Sequence, residues 1–257
     1  MIDLMLIGIG TGNPEHVTLQ AARLLNDADL ILIPDKGEDK SDLARVRRQI
    51  CDTVLTGGTR VVSFDLPTRD EATPDYHARV VDWHDAIAAI WVREIRENLG
   101  PQGKVAFLVW GDPSLYDSTL RIADRVAKIL PLRVRVVPGI TSLQALTAAH
   151  RIPINDLGAP FTVTTGRQLR DAGWPDGVDT LAVMLDGQCS FQSIPPKGVH
   201  IWWSGYAGMV QEINLSGPLA ETAPQIMAAR AEARAQHGWI MDIYLMRRQT
   251  PRGDTDE

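Results

Sequence analysis

Gly8-Ile9-Gly10-Thr11-Gly12-Asn13-Pro14 is a glycine loop that directly follows an apolar run at residues 2–7. Glycines at alternate positions let the backbone turn without Cβ clashes and let a ligand lie against bare peptide. The small residues and leucines of residues 18–26 then predict a helix, so the order is strand, glycine loop and helix, as in nucleotide-binding α/β folds. The loop is therefore predicted to contact a ligand, and a tight turn with no ligand is the alternative.

The glycine loop fits the dinucleotide-binding fingerprint only in part. Gly8 and Gly10 match its first two glycines, but the third glycine falls at Gly12, one residue too early. Pro14 and Glu15 stand where a helix amino end should open toward a pyrophosphate, and an acidic side chain there would repel phosphate. A nicotinamide-dependent dehydrogenase is therefore the alternative enzyme class rather than the first hypothesis.

The remaining chain predicts two α/β domains. Apolar runs separated by helix-length segments indicate a parallel sheet with helical crossovers, and weaker helices separate the runs after Pro153. The predicted domains are residues 1–140, which carry the glycine loops, and residues 141–250, with a tail at 251–257. Helices are predicted at residues 75–98 and 215–237. The predicted strands are residues 4–7, 30–33, 61–64, 105–109 and 133–137, then 161–165, 180–185, 199–203 and 239–246.

Composition limits the classes of partner. A hydrophobic content of 44% with 23% charged residues is typical of a soluble globular protein, and no apolar run reaches the ~18 residues of a membrane span. Asp3 lies where a secretory signal would be positive, so we predict a cytoplasmic location. The formal net charge of −6 disfavours nucleic acid as a partner. Cys51 and Cys189 are far apart without nearby histidines, which argues against a disulfide and a metal site.

Two further predicted strands end in turns that contain glycine. Residues 110–118 read Trp-Gly-Asp-Pro-Ser-Leu-Tyr-Asp-Ser, and residues 138–142 read Pro-Gly-Ile-Thr-Ser. Asp112 in the first turn could hydrogen-bond a ligand, and the alternative is that it caps a helix from Ser114 onward. Because the carboxyl ends of parallel strands meet at one edge of a sheet, we expect these turns and the first glycine loop to share that edge.

Basic residues near predicted strand ends are candidates for binding an anionic substrate. A charged loop follows the second strand and leads into Arg45, Arg47 and Arg48, and Arg167 follows a glycine turn at another strand end. The alternative for the loop, and for Arg47, is a solvated start of a helix. The predicted substrate-binding residues are Lys36, Lys40, Arg45, Arg48 and Arg167.

Taken together, these motifs resemble the tetrapyrrole methylase family over nearly the whole chain. The family's Gly-x-Gly-x-Gly-Asp-Pro followed by Leu-Thr-Leu is similar to residues 8–19, with Asn13 in place of Asp. Its Gly-Asp-Pro-x-x-Tyr loop is similar to residues 111–116, and its Pro-Gly-Ile-Ser/Thr-Ser turn to residues 138–142. The resemblance implies an N-terminal mainly parallel sheet, a C-terminal mixed sheet and S-adenosyl-L-methionine (SAM) in the cleft between the domains.

The same resemblance implies methyl transfer from SAM to a tetrapyrrole, with S-adenosyl-L-homocysteine as the product, and it favours a homodimer. Some stretches resemble one branch of the family, which methylates C-1 of precorrin-5 and releases acetate in aerobic cobalamin biosynthesis. Methylation at a different ring position and a noncatalytic ligand-binding role are the alternatives. The chain departs from the family where Tyr-Met-Gly becomes Leu-Asp-Gly at residues 185–187 and Asn-Gly-Thr becomes Ser-Gly-Tyr at 204–206. The stretches similar to that branch are residues 35–38, 82–84, 110–118 and 238–242.

The resemblance assigns the cofactor-binding residues by motif correspondence. A sulfonium methyl group is already a good electrophile, so the protein mainly has to align donor and acceptor and exclude water. Acetate release also needs a base that activates water, and His84, Asp112 and Tyr116 are candidates by their chemistry. The expected SAM contacts are Gly10, Thr11, Gly12, Trp110, Gly111, Asp112, Leu115, Thr141, Ser142, Leu185, Asp186, Gly205 and Leu219.

Overall fold

The computed structural model describes residues 1–35, 41–67 and 76–248, apart from the side chains of residues 41–42 and 76–78. The chain divides into two compact units, Met1–Thr141 and Ser142–Glu257. Two of the predicted substrate-binding residues, Lys36 and Lys40, and the predicted tail at 251–257 lie outside the described residues. Within the described ranges, no helix is long and apolar enough to cross a membrane.

The first unit is built on an all-parallel sheet. Its strands are β1 (Ile2–Gly8), β2 (Leu30–Asp35), β3 (Arg60–Asp65), β4 (Gly103–Val109) and β5 (Leu132–Val137). They lie in the order β3-β2-β4-β1-β5, and every neighbouring pair is parallel. The inner strands are apolar along most of their length, because both faces of a parallel sheet are covered by crossover segments. This confirms the parallel sheet predicted for the first half of the chain.

Among the described residues of the first unit, the strands are connected by the helices α1 (Leu19–Asn26), α2 (Ser41–Val54), α3 (Tyr76–Asn98) and α4 (Thr119–Val126). Thr18 begins α1, since its hydroxyl accepts a hydrogen bond of 3.0 Å from the backbone N–H of Ala21. The long helix α3 buries one apolar face, which includes Ile87, Trp91 and Ile95. On that face the Trp91 ring stacks on Phe107 of β4, with 3.8 Å between ring centroids.

The second unit is built on a mixed sheet. Its strands are β6 (Phe161–Thr165), β7 (Thr180–Met184), β8 (Val199–Gly205), β9 (Ile213–Pro218) and β10 (Asp242–Arg248), in the order β6-β7-β10-β8-β9. The β6–β7 pair is parallel and the other pairs are antiparallel. This confirms the mixed sheet. Its helices are α5 (Ser142–His150), α6 (Gly166–Ala172) and α7 (Leu219–His237).

Two predicted boundaries in the second unit were wrong. The helix expected from residue 215 begins at Leu219, because the residues before it form the edge strand β9, whose side chains alternate between half-buried and exposed. The strand expected from residue 239 begins at Asp242. Residues 239–241 lie outside the strand, and the Trp239 carbonyl accepts a hydrogen bond from the Tyr206 hydroxyl.

Candidate functional site

The first glycine loop and the turn after β4 are joined through their main chains. The N–H of Gly111 donates to the Gly10 carbonyl at 2.8 Å, and the N–H of Gly10 donates to the Gly111 carbonyl at 3.3 Å. Both residues have positive φ, +78° at Gly10 and +63° at Gly111, which L side chains rarely adopt. The carboxyl ends of β1 and β4 therefore meet, as the parallel topology predicted.

The turn after β5 joins the same assembly through close approach of glycine backbones. A Cβ atom at Gly139 would overlap the Gly111 carbonyl oxygen, and one at Gly8 would lie 2.6 Å from the Gly139 nitrogen. We name this set of four residues, Gly8, Gly10, Gly111 and Gly139, the glycine junction. Gly8 and Gly139 belong to two of the sequence motifs but were not predicted as site residues. The position of each glycine at a predicted strand end was the signal that could have identified them.

Asp112 ties the glycine junction together with its side chain. Its Oδ2 accepts from the Gly139 N–H at 2.9 Å, and its Oδ1 accepts from the N–H and hydroxyl of Ser114. Burial opposes its ionisation, but these hydrogen bonds outweigh burial, so the pKa of the Asp112 carboxyl lies below its ordinary value. The capping alternative was wrong, because α4 begins at Thr119 and the backbone N–H of Thr119 donates to Asp117 instead.

The first glycine loop continues into a short 3₁₀ helix, Pro14–His16, rather than into a long helix. Asn13 begins this turn by accepting from the Glu15 N–H at 3.0 Å. The buried Thr11 hydroxyl lies 2.9 Å from Nδ1 of His16, which fixes the backbone of the loop. Because α1 begins only at Leu19, no helix amino end opens at the glycines, in agreement with the incomplete dinucleotide fingerprint.

The other predicted residues of the first unit differ in exposure. Trp110 is half-buried directly after β4, and Leu115 is half-buried in the turn that follows. Tyr116 is 44% exposed with φ +50°, and partial burial raises the pKa of its phenol. His84 is buried on α3, with its ring centroid 5.9 Å from that of Trp83. Thr141 is buried at the end of the turn after β5.

The arginines of α2 have different environments. Arg45 is exposed. Arg48 is also exposed, and its Nη2 donates to the Ser63 hydroxyl at 2.9 Å and lies 3.5 Å from Asp35. Arg47 is half-buried, donates from Nε to the Leu108 carbonyl of β4 at 3.1 Å, and lies over the Trp110 ring at 5.9 Å.

The mixed charge around Arg47 favoured a solvated cation at the start of a helix, but its side chain is half-buried. Burial lowers the pKa of its guanidinium to about 10, although the carboxylate of Asp117 acts in the opposite direction. Its side chain instead enters the carboxyl edge of the sheet. The inward direction of this side chain could not be recognised in the mixed charge of residues 35–48, because position in a helix alone does not show which arginine turns inward.

In the second unit, Asp186 directs its carboxylate into the interior. It accepts from the Tyr244 hydroxyl at 2.7 Å, the Ser190 hydroxyl at 2.6 Å and the Gln188 N–H at 3.1 Å. Burial opposes ionisation, but these hydrogen bonds outweigh it and hold the pKa of Asp186 below its ordinary value. A Cβ at Gly166 would overlap this carboxylate, so the start of α6 also depends on it. Its side chain thus has a structural role.

The remaining candidates lie at the ends of elements in the second unit. Leu185 follows β7, is 67% exposed and has φ +53°. Gly205 ends β8, where a Cβ would lie 2.8 Å from the Trp203 ring. Leu219 is buried at the start of α7, and Ser142 begins α5. Arg167 is exposed in the first turn of α6.

The described part of the chain contains no group of three or more His, Cys, Asp or Glu side chains that could hold a metal ion. Cys51 and Cys189 are buried free thiols. Two parts of the first unit present polar groups at the carboxyl ends of its strands: the glycine junction with Asp112, which offers backbone and one carboxylate, and the α2 side of β4, which offers the Arg47 guanidinium.

The chain is similar to known proteins over nearly its whole length. Residues 3–223 match the model of the Tetrapyrrole (Corrin/Porphyrin) Methylases. A precorrin-6A synthase (deacetylating) of Sinorhizobium sp is 48% identical over 251 residues, which cover 96% of both chains. The structure of a cobalamin synthesis related protein (CobF) of Corynebacterium diphtheriae is 39% identical, with a TM-score of 0.82, and the match covers 97% of this chain and 100% of that one.

More distant structures share the fold. A uroporphyrin-III C-methyl transferase of Thermus thermophilus, solved in complex with S-adenosyl homocysteine, is 21% identical with a TM-score of 0.58. That match covers 95% of this chain and 96% of the other. The extent of the family match and the full-length relative confirm the resemblance seen in the motifs. The chain therefore belongs to the tetrapyrrole methylase family of SAM-dependent methyltransferases.

Proposed function

We propose that this enzyme transfers a methyl group from SAM to C-1 of precorrin-5 and releases the extruded two-carbon unit as acetate, which yields precorrin-6A. The observation that carries the proposal is the 48% identity, over 96% of the chain, to a precorrin-6A synthase (deacetylating). The departures at residues 185–187 and 204–206 do not affect the glycine junction, which holds three strand ends of the first unit together.

We propose that the glycine junction forms the floor against which SAM lies. Backbone without side chains lets a ligand approach closely, and hydrogen bonds within the chain itself hold the loops in place. Thr11 and Gly12 continue this floor, and a Cβ at Gly111 would make only an ordinary contact, with Thr141 Cα at 3.8 Å. Further cofactor contacts are proposed for Trp110, Leu115, Thr141 and Ser142, with Leu185, Asp186, Gly205 and Leu219 from the second unit.

The three catalytic candidates are proposed to have different roles. A carboxylate whose pKa is lowered by three hydrogen bonds is a weak base, so Asp112 serves to position the loops. The Tyr116 phenol stays protonated at neutral pH and is exposed, so it can donate a proton to a leaving group. His84 is the remaining candidate for activating water, and its burial on α3 favours a role in the core instead.

The anionic substrate is proposed to contact basic residues near strand ends. Arg45 and Arg48 of α2 and Arg167 of α6 are exposed, so each contact is partly solvated and contributes little by itself. Lys36 and Lys40 belong to the same predicted set. We further propose that the enzyme works in the cytoplasm as a homodimer, without nucleic acid or a membrane as partner, and light scattering of the purified protein tests the dimer.

A direct assay tests the reaction. The purified enzyme is incubated with methyl-labelled SAM and precorrin-5, and the products are identified by mass. We expect the label to appear in the tetrapyrrole, and unlabelled S-adenosyl-L-homocysteine and acetate to be released. The tetrapyrrole product should be lighter than the substrate, because the acetyl group lost outweighs the methyl group gained. A labelled product that keeps its two-carbon unit would instead indicate methylation at another ring position.

A further inference from the structure

The sheet of the first unit opens between β2 and β4 at its carboxyl edge. β2 pairs with β3 as far as Asp35 and Asp65, but its pairing with β4 ends at Leu32 and Phe107. The Val109 carbonyl accepts a hydrogen bond from Ile9 N–H on the β1 side. Because successive carbonyls of a strand point to opposite sides, the Leu108 carbonyl faces the gap left by β2.

Arg47 fills this gap from α2. Its Nε donates to the Leu108 carbonyl at 3.1 Å, at the point where β2 no longer pairs with β4. Its Nη1 donates to the Leu43 carbonyl of its own helix at 3.3 Å. The guanidinium also lies over the ring of Trp110, the residue that precedes the glycine junction's Gly111. These contacts fix the direction of the side chain.

The charge of this guanidinium has no carboxylate partner among the described residues. Both of its hydrogen-bond acceptors there are main-chain carbonyls, and no carboxylate of that part of the chain lies within 4.0 Å. Asp117 acts on this charge electrostatically without an ion pair within 4.0 Å, and its Oδ1 already accepts hydrogen bonds from the N–H and hydroxyl of Thr119. A partly desolvated cation without a counter-ion is costly, and such sites are usually completed by an anion. Nη2 makes no hydrogen bond to the described residues and is available for one.

We propose that Arg47 binds a carboxylate of the tetrapyrrole substrate and anchors it beside the reacting ring. This inference rests on the proposed function for the identity of the substrate. The position supports it, since the gap lies on the β2 side of β4, whereas the glycine junction joins the ends of β4, β1 and β5. SAM also carries a carboxylate. Loss of the Arg47 charge should weaken tetrapyrrole binding if Arg47 binds the substrate, and it should weaken binding of S-adenosyl-L-homocysteine if Arg47 binds the cofactor.

The test compares Arg47→Met, which keeps the length of the buried stem, and Arg47→Lys, which keeps the charge, with the parent enzyme. Arg60→Ala is the matched control, because Arg60 also donates to a main-chain carbonyl, that of Asn98, but at the amino end of β3. Two affinities are measured: that for S-adenosyl-L-homocysteine by calorimetry and that for a stable polycarboxylic porphyrin by its fluorescence. KM for precorrin-5 and the thermal midpoint are recorded in parallel.

We expect Arg47→Met to weaken porphyrin binding and raise KM about tenfold or more, to leave the affinity for S-adenosyl-L-homocysteine within about twofold, and to be partly rescued in Arg47→Lys. Arg60→Ala should resemble the parent in both affinities. Unchanged porphyrin binding in a folded Arg47→Met overturns the proposal, and so does a selective loss of S-adenosyl-L-homocysteine binding. Because the porphyrin arm needs no turnover, an inactive parent would contradict the proposed reaction without affecting the test of Arg47.

Discussion

The turns after β1, β4 and β5 in the first unit meet through closely packed glycine backbone, with the half-buried Asp112 carboxylate binding one of them, whereas the turn after β7 in the second unit has no such contact among its described glycines and is held by the buried Asp186 carboxylate. At the glycine junction, Gly139 and Gly111 approach so closely that no side chain fits between them. After β7, Asp186 reaches inward and binds Ser190 and Tyr244 through its side chain. Two physical solutions thus organise strand ends in one chain.

The difference explains what each region tolerates. A glycine contact fails when any side chain is added, so it depends on the absence of atoms. A carboxylate network fails when charge or hydrogen-bonding capacity is lost, so it depends on one side chain and its donors. The first kind leaves bare backbone for a ligand, and the second kind consumes its polar atoms internally. We therefore expect the cofactor to depend more on the first region than on the carboxylate of the second.

The largest effect is expected for Gly139→Ala. The new Cβ would overlap the Gly111 carbonyl oxygen, so the junction must open, at a cost of about 3 kcal/mol in the free energy of unfolding. Gly187→Ala is the matched control from the second unit, because nothing lies within 4 Å of its added Cβ. Urea unfolding measures both, and a stable Gly139→Ala protein that binds SAM normally would show that the close approach is dispensable.

A smaller effect is expected for Asp186→Asn. The change removes the charge and one acceptor from a network of buried donors, which should cost about 2 kcal/mol of stability. Affinity for S-adenosyl-L-homocysteine should fall less than in Gly139→Ala. If the order of the two affinities is reversed, the Asp186 region rather than the glycine junction dominates cofactor binding.

The stability difference between the parent and Asp186→Asn should depend on pH, because the pKa of Asp186 is lowered in the folded state. The folded-state pKa of Asp186 is lowered by its hydrogen bonds, so its contribution is fully present above the unfolded pKa of about 3.9 and is lost as the pH falls through the folded value. Urea midpoints of parent and Asp186→Asn should therefore differ constantly from pH 7 to about pH 5 and converge below about pH 4. If the difference between the two urea midpoints grew on acidification, the Asp186 carboxylate would not be the stabilising form.

The smallest effect is expected for Arg167→Ala. Arg167 is exposed in the first turn of α6, so its contact with a substrate carboxylate is solvated and its loss should raise KM for the tetrapyrrole only a few-fold. Affinity for SAM should stay nearly unchanged. Equal losses for both ligands would mean that Arg167 supports the fold or the cofactor site, and no loss for either would remove it from the site.

The sequence predicted the first unit well because glycines and apolar runs report backbone geometry directly. Strand β9 was missed because Gly217 and Pro218 at its end resemble a turn, and half-exposed edge strands lack a continuous apolar run. The position of Arg47 could not be predicted, because it depends on where β2 stops pairing with β4. Asp186 was expected at the cofactor, but its burial depends on Tyr244, which is far away in sequence.

Calorimetric titration of Gly111→Arg with S-adenosyl-L-homocysteine tests the central claim most directly. The position has φ +63°, where a side chain strains the backbone by about 1–3 kcal/mol, and the nearest atom to an added Cβ, Thr141 Cα, lies at the ordinary contact distance of 3.8 Å. We predict a folded protein, by circular dichroism, that has lost binding while the parent binds. A folded Gly111→Arg protein that binds like the parent would show that the glycine junction is not the floor of the cofactor site.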